Sequence, residues 1–312
     1  MRLLAFAPCL ALLGAASAAS VPRSLYGRSV TTLSTSQLNA LAPYTEFARA
    51  AYCPSSSVSG WKCGDYVGYW PSQNAVVVAH EGTDPTQLYV LFSSLPRAHG
   101  SFDPVSLPRT PSLIPACSLS DLTDVEILMD QPDTSLFPGI PSSVWVHGGF
   151  LAEHAKTAPT ILAETKRLLS STGATQVILV GHSLGGALAE IDCVFMKLNL
   201  PSNIHVKGVT YGTPRVGNPA WASYFDTEVS DFQHINNEQD PIPIVPGRGL
   251  GFAHPHGEVH ILGTNDAVSC PGDDDATDSQ CTISSVPNIF ESNILNHLGP
   301  YQGIYIGTIF CT

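Results

Sequence analysis

Lysine and arginine are scarce in this chain. They number 14 among 312 residues, against 26 aspartates and glutamates, for a formal net charge of −12. Binding a phosphate backbone requires a basic surface, so nucleic acid is excluded as a partner. Charged residues of either sign make up only 13% of the chain, while Gly (26) and Pro (25) are plentiful. That balance fits an exported protein with many ordered loops. The sequon N-x-[ST] is missing, so N-glycosylation is not expected. No cysteine pair has zinc-site spacing, internal repeats are lacking, and neither a metal nor a cofactor is expected. Beyond the first residues, no apolar run is long enough to cross a bilayer, which leaves no transmembrane anchor.

Those first residues have the pattern of a secretory leader. Arg2 supplies the positive start, Leu3 to Leu13 the apolar core, and Ala15 to Ala19 the small-residue cleavage region. Residues 1–19 are therefore expected to be removed. Residues 20–312 then form one domain, secreted and extracellular. Of the eight cysteines, Cys9 leaves with the leader. Cys270 and Cys281 bracket an acidic loop and are disulfide candidates. Cys53 and Cys311 lie near opposite ends of the mature chain, and joining them would constrain the unfolded state by about 4–5 kcal/mol. Cys193 falls in a helix and reads as a buried thiol.

Ser34-Thr35-Ser36-Gln37 reads as a capping box opening a helix that Pro43 kinks or divides. Strands are expected at 66–70, 75–79, 124–129, 144–147, 176–180, 206–211 and 232–236, and helices at 153–171, 184–198 and 220–229. Strands alternating with helices imply a mostly parallel sheet covered on both faces. Residues 95–118, rich in Pro and Ser, show no periodicity. They read either as an extended lid or as translated intron.

The centre of the sequence is Gly181-His182-Ser183-Leu184-Gly185. It follows the apolar run Val177 to Val180 and precedes Gly186-Ala187-Leu188-Ala189. The pattern G-x-S-x-G between a buried strand and a helix is a nucleophile elbow. A serine hydroxyl attacks only when a histidine takes its proton and a carboxylate holds that histidine. Asp240 sits just past a strand end and before Pro241 and Pro243. Asp192 lies in the elbow helix, held away from the sheet edge, and Asp273 to Asp275 read as a solvated run. His297 lies late in the chain, as the order Ser, acid, His requires. His254, His256 and His260 form H-x-H-x-x-x-H, which lacks the acidic partners of a metal site. For the oxyanion, Leu184 offers one N–H, and Thr83, in the turn after the early strand, offers the other.

With Tyr211-Gly212-Thr213-Pro214-Arg215-Val216-Gly217 and Asp240-Pro241-Ile242-Pro243 added, the chain resembles the fungal class 3 lipase family from about Leu33 onward. The details look most like the secreted basidiomycete members. The resemblance implies an α/β-hydrolase fold with a lid over the active site, and the triad Ser183, Asp240 and His297. It also implies hydrolysis of acylglycerol esters by a monomer at an oil–water interface. Many members have Phe-Arg where this chain has His80-Glu81. The stretch matching the lid contains Leu88, Tyr89, Val90, Leu91 and Phe92, an apolar run suited to lipid. A feruloyl or other carbohydrate-ester esterase of the same fold is the rival reading. A catalytically dead binding protein is set aside because each expected catalytic position holds a competent residue.

Overall fold

A computed structural model describes residues 29–53, 65–83, 128–274 and 278–311. The leader, Cys63, Cys117, the run Leu88 to Phe92 and the insert 95–118 lie outside them. The central sheet takes the order β1 (Thr31–Thr32), β10 (Asp266–Ser269), β9 (Glu258–Gly263), β8 (Asp231–Asn237), β7 (His205–Tyr211), β6 (Gln176–His182), β3 (Ala75–His80), β2 (Asp65–Trp70). From β3 through β6, β7 and β8 to β9 the pairing is parallel. The remaining pairs at the two edges are antiparallel. A small separate pair joins β4 (Met129–Asp130) to β5 (Val146–His147).

Strand β3 shows how sequence becomes layering. All six of its residues are buried, as expected for a parallel strand covered on both faces. Val76 and Val78, with Val177 and Leu179 of β6, pack against one helical layer. That layer is α3 (Gly148–Thr172), α4 (Leu184–Asn199) and α5 (Pro219–Glu228), contributing Phe150, Ile191, Phe195 and Trp221. Ala75, Val77 and Ala79 point the other way, with Ile178 and Val180. They meet α1 (Thr35–Asn39) and α2 (Ala42–Ala51) through Leu38, Leu41 and Ala48. Ser34 and Gln37 close the expected capping box, and Pro43 sits in the first turn of α2, where its missing N–H costs nothing.

Several elements differ from the sequence reading. Helix α3 starts at Gly148, directly after His147, whose ring Nδ1 accepts from the Phe150 N–H. The strand expected at 144–147 is confined to Val146–His147. Strands β9 and β10 were not anticipated. Asp274 is not solvated: it is buried in a two-pronged ion pair with Arg215, which also donates to the carbonyls of Ile244 and Pro246. Disulfides join Cys53 to Cys311 and Cys270 to Cys281. Cys193 is a buried free thiol. Among the described residues, no helix is long and apolar enough to cross a membrane.

Candidate active site

Strand β6 delivers Ser183 to the end of the sheet, and α4 begins at the next residue. Ser183 has φ 60°, a left-handed conformation uncommon for any residue but glycine. Its N–H is held by the Tyr211 carbonyl at 2.9 Å. The flanking glycines are needed because backbone passes where side chains would be. A Cβ at Gly181 would lie 2.0 Å from the Gly185 carbonyl oxygen, and one at Gly185 would lie 2.3 Å from that of His80.

The turn after β3 runs against the serine. A Cβ at Gly82 would lie 3.1 Å from the Ser183 Cβ and 2.4 Å from the His182 carbonyl oxygen. Thr83 follows, buried. Leu184, also buried, opens the elbow helix, whose first N–H groups have no intrahelical partner.

Asp240 lies just beyond β8. Its Oδ1 accepts from the Ile242 N–H and its Oδ2 from His297 Nδ1, both at 2.8 Å. Both side chains are about 1% exposed. The proton on Nδ1 leaves Nε2 as the basic nitrogen, and His297 Nε2 is buried with no hydrogen-bond partner. Gly212 makes room for the pair. It has φ +51°, and a Cβ there would lie 2.7 Å from both Asp240 Oδ2 and His297 Nδ1. The structure thus brings Asp240 and His297 into contact and places the backbone of Gly82 against Ser183.

Three participants escape a sequence reading. The His182 ring lies 4.3 Å, centroid to centroid, from that of His297. Its Nε2 donates to the His297 carbonyl at 2.7 Å, which fixes the tautomer, and its Nδ1 accepts from the Tyr52 hydroxyl at 2.7 Å. Burial, then the nearby His297, push the His182 pKa well down and keep the ring neutral. The Tyr301 hydroxyl donates to the same His297 carbonyl at 3.1 Å. His182 occupies the variable position of G-x-S-x-G, and no local pattern marks Tyr52 or Tyr301 as its partners.

Behind β3 lies a buried polar cluster. His80 Nε2 and His154 Nε2 donate to the two oxygens of Asp192 at 2.8 and 2.6 Å. Burial alone would raise the Asp192 pKa, but His154 and His80 outweigh it and hold the carboxyl below the usual range. Asp192 therefore joins β3, α3 and α4 and takes no part in the Asp240–His297 pair. The three histidines of H-x-H-x-x-x-H go to separate partners. His254 stacks on His234, His256 pairs with Asp226, and His260 meets two backbone carbonyls. Glu258, Cys270 and Cys281 lie close enough to share an ion. The two sulfurs are bonded to each other, however, and Glu258 Oε1 accepts from the Thr282 N–H.

A mostly parallel sheet with a left-handed serine between strand and helix defines an α/β-hydrolase. The description of the class 3 lipases matches residues 119–250. A secreted mono- and diacylglycerol lipase of Malassezia globosa is 31% identical over 147 residues, 47% of this chain and 48% of that one. A lipase of Rhizopus niveus is 29% identical over 284 residues, 88% of this chain and 66% of that one. The solved structure of lipase II from Rhizopus niveus superposes with a TM-score of 0.68 at 22% identity, covering 90% of this chain and 99% of that one, a likeness of fold. The chain is similar to the class 3 lipases over these residues. It spans about half the length of the first Malassezia relatives it matches.

Proposed function

We propose that this protein is a secreted serine lipase that hydrolyses the carboxylic esters of acylglycerols. The observation that carries the reading is the buried Asp240–His297 pair. Asp240 fixes the proton on Nδ1, so an unpartnered Nε2 is ready to accept one. In this reading His297 takes the proton from Ser183 as its hydroxyl attacks the ester carbonyl. The backbone N–H groups of Thr83 and Leu184 stabilise the oxyanion. The protonated His297 then gives its proton to the departing alcohol. Water, deprotonated by the same ring, resolves the acyl-enzyme. Asp240 stabilises the imidazolium at each step, and no step requires a metal or cofactor.

Residues 20–312 act as one hydrolase domain after loss of the leader 1–19, and the chain works as an extracellular monomer at a lipid–water interface. The names of the Malassezia and Rhizopus relatives support the lipid assignment, and the apolar run Leu88 to Phe92 suits a cover over the serine. The test compares the wild type with Ser183→Ala on emulsified tri-, di- and monoacylglycerols and on methyl ferulate. Fatty-acid release is expected to rise above substrate solubility and to fall by at least about 10,000-fold in the variant. Activity confined to methyl ferulate would make the protein a carbohydrate-ester esterase and overturn the lipid assignment.

A further inference from the structure

The ring of His260 has an arrangement that the triad chemistry does not use. Its Nδ1 lies 2.5 Å from the Gln280 carbonyl oxygen, and its Nε2 lies 2.8 Å from that of Glu238. Both partners can only accept, and a neutral imidazole carries a single N–H. With one proton, the buried ring would set a nitrogen lone pair against a carbonyl oxygen, the costly side of an unmade hydrogen bond. Both contacts are hydrogen bonds only when each nitrogen carries a proton.

The residue His260 holds lies at the edge of the candidate site. Glu238 sits two positions before Asp240 and has φ 45°, a left-handed conformation that a long side chain rarely adopts. Three contacts hold it there. Its N–H donates to the Ile261 carbonyl at 2.8 Å, its carbonyl accepts from His260, and its carboxylate accepts from Asn296 Nδ2 at 2.7 Å. Asn296 directly precedes His297, and its own carbonyl accepts from Asn237 Nδ2 at 2.9 Å. One strained residue thus ties the loop of the acid to the loop of the base. His260 ties both to Gln280, the neighbour of the Cys270–Cys281 disulfide. Strain of this kind persists only where its surroundings over-determine it.

We propose that His260 is a positioning residue for the Asp240–His297 pair. As an imidazolium donating from both nitrogens, it fixes Glu238, and through Glu238 and Asn296 it sets the separation of acid and base. The inference deepens the triad reading and rests on it. Glu258, on the same strand face, interacts electrostatically with the ring, and Asp274 acts on Glu258 from the loop after Cys270. The Glu238 carboxylate is engaged by Asn296.

The experiment joins a spectrum to kinetics. In protein labelled with ¹⁵N-histidine, the signals lost in His260→Gln identify the ring. At neutral pH both its nitrogens are expected to bear protons, and a bare nitrogen there overturns the proposal. Glutamine retains a donor for only one of the two carbonyls. Against a soluble short-chain ester, kcat of His260→Gln is expected to fall about 10- to 100-fold with KM within about twofold. A loss confined to kcat is a change that a purely structural role would not produce. A folded variant with wild-type kcat overturns the proposal. Ser183→Ala is assayed alongside. Hydrolysis surviving in it would overturn the triad itself, a failure distinct from a bare nitrogen on His260.

Discussion

At the scale of single residues, the site depends on one missing side chain as much as on those present. Gly212→Ala would place a methyl group 2.7 Å from both partners of the Asp240–His297 bond, at a backbone angle that also disfavours alanine. The pair must then separate. We expect kcat to fall by about 100- to 10,000-fold, with much of the wild-type thermal stability retained. Steady-state kinetics beside a thermal scan tests this, and a fully active alanine variant would show that the pair can shift without loss. Ser183, Asp240 and His297 could be picked out as candidates in sequence because chain order and strand-end position constrain them, and the structure joins the last two. Gly212 was legible only as part of a motif. His182, Tyr52 and Tyr301 were not, because the bond from Tyr52 to His182 spans 130 positions and leaves no local periodicity.

At the scale of elements, the long apolar and amphipathic segments were readable and the short polar ones were not. Strand β6 and helix α4 declare themselves through continuous burial. In β9, buried Val259 and Ile261 alternate with buried Glu258 and His260. A strand whose second face is also polar reads as a loop carrying histidines. The start of α3 was hidden because Gly148-Gly149 looks like a turn. The buried Asp192 has a role that its helical position did not disclose, since it joins three elements at once. Asp192→Ala leaves two buried imidazole donors without an acceptor, and we expect a loss of about 3–5 kcal/mol. Urea unfolding measures it. A shift in midpoint equivalent to under about 1 kcal/mol would mean that water or a neighbour takes the place of the carboxylate.

At the scale of the whole molecule, buried ionisable groups shape stability against pH from both sides. Burial pushes Glu190 up to about 8, against the hydrogen bond from Trp221, so it is protonated in the fold below that pH. The unfolded chain ionises near 4.5, so this contribution is complete below that value and is lost as pH rises toward 8. His254 runs the opposite way. Burial, then Arg215, hold it down at about 3. The unfolded chain takes up its proton below about 6.5, so stability is lost as pH falls from there toward 3. A dome of stability between these limbs is expected. Glu190→Gln should flatten the alkaline side by a few degrees in Tm while leaving the acid side unchanged. Thermal scans from pH 4 to 9 would show it, and an unchanged alkaline limb would refute the assignment.

The free thiol of Cys193 sits in the elbow helix, where burial and then the charges of Asp192, Glu190 and Asp231 hold its pKa well above the ordinary range. Sealed in this way, it cannot meet an alkylating reagent until the helix leaves the sheet. The molecule therefore carries its own clock for opening. The rate at which the peptide containing Cys193 gains mass in a thiol reagent counts excursions of the catalytic scaffold. That rate should rise with urea in step with the loss of hydrolysis. Labelling that outruns inactivation would reveal a breathing motion in which the scaffold parts and closes again.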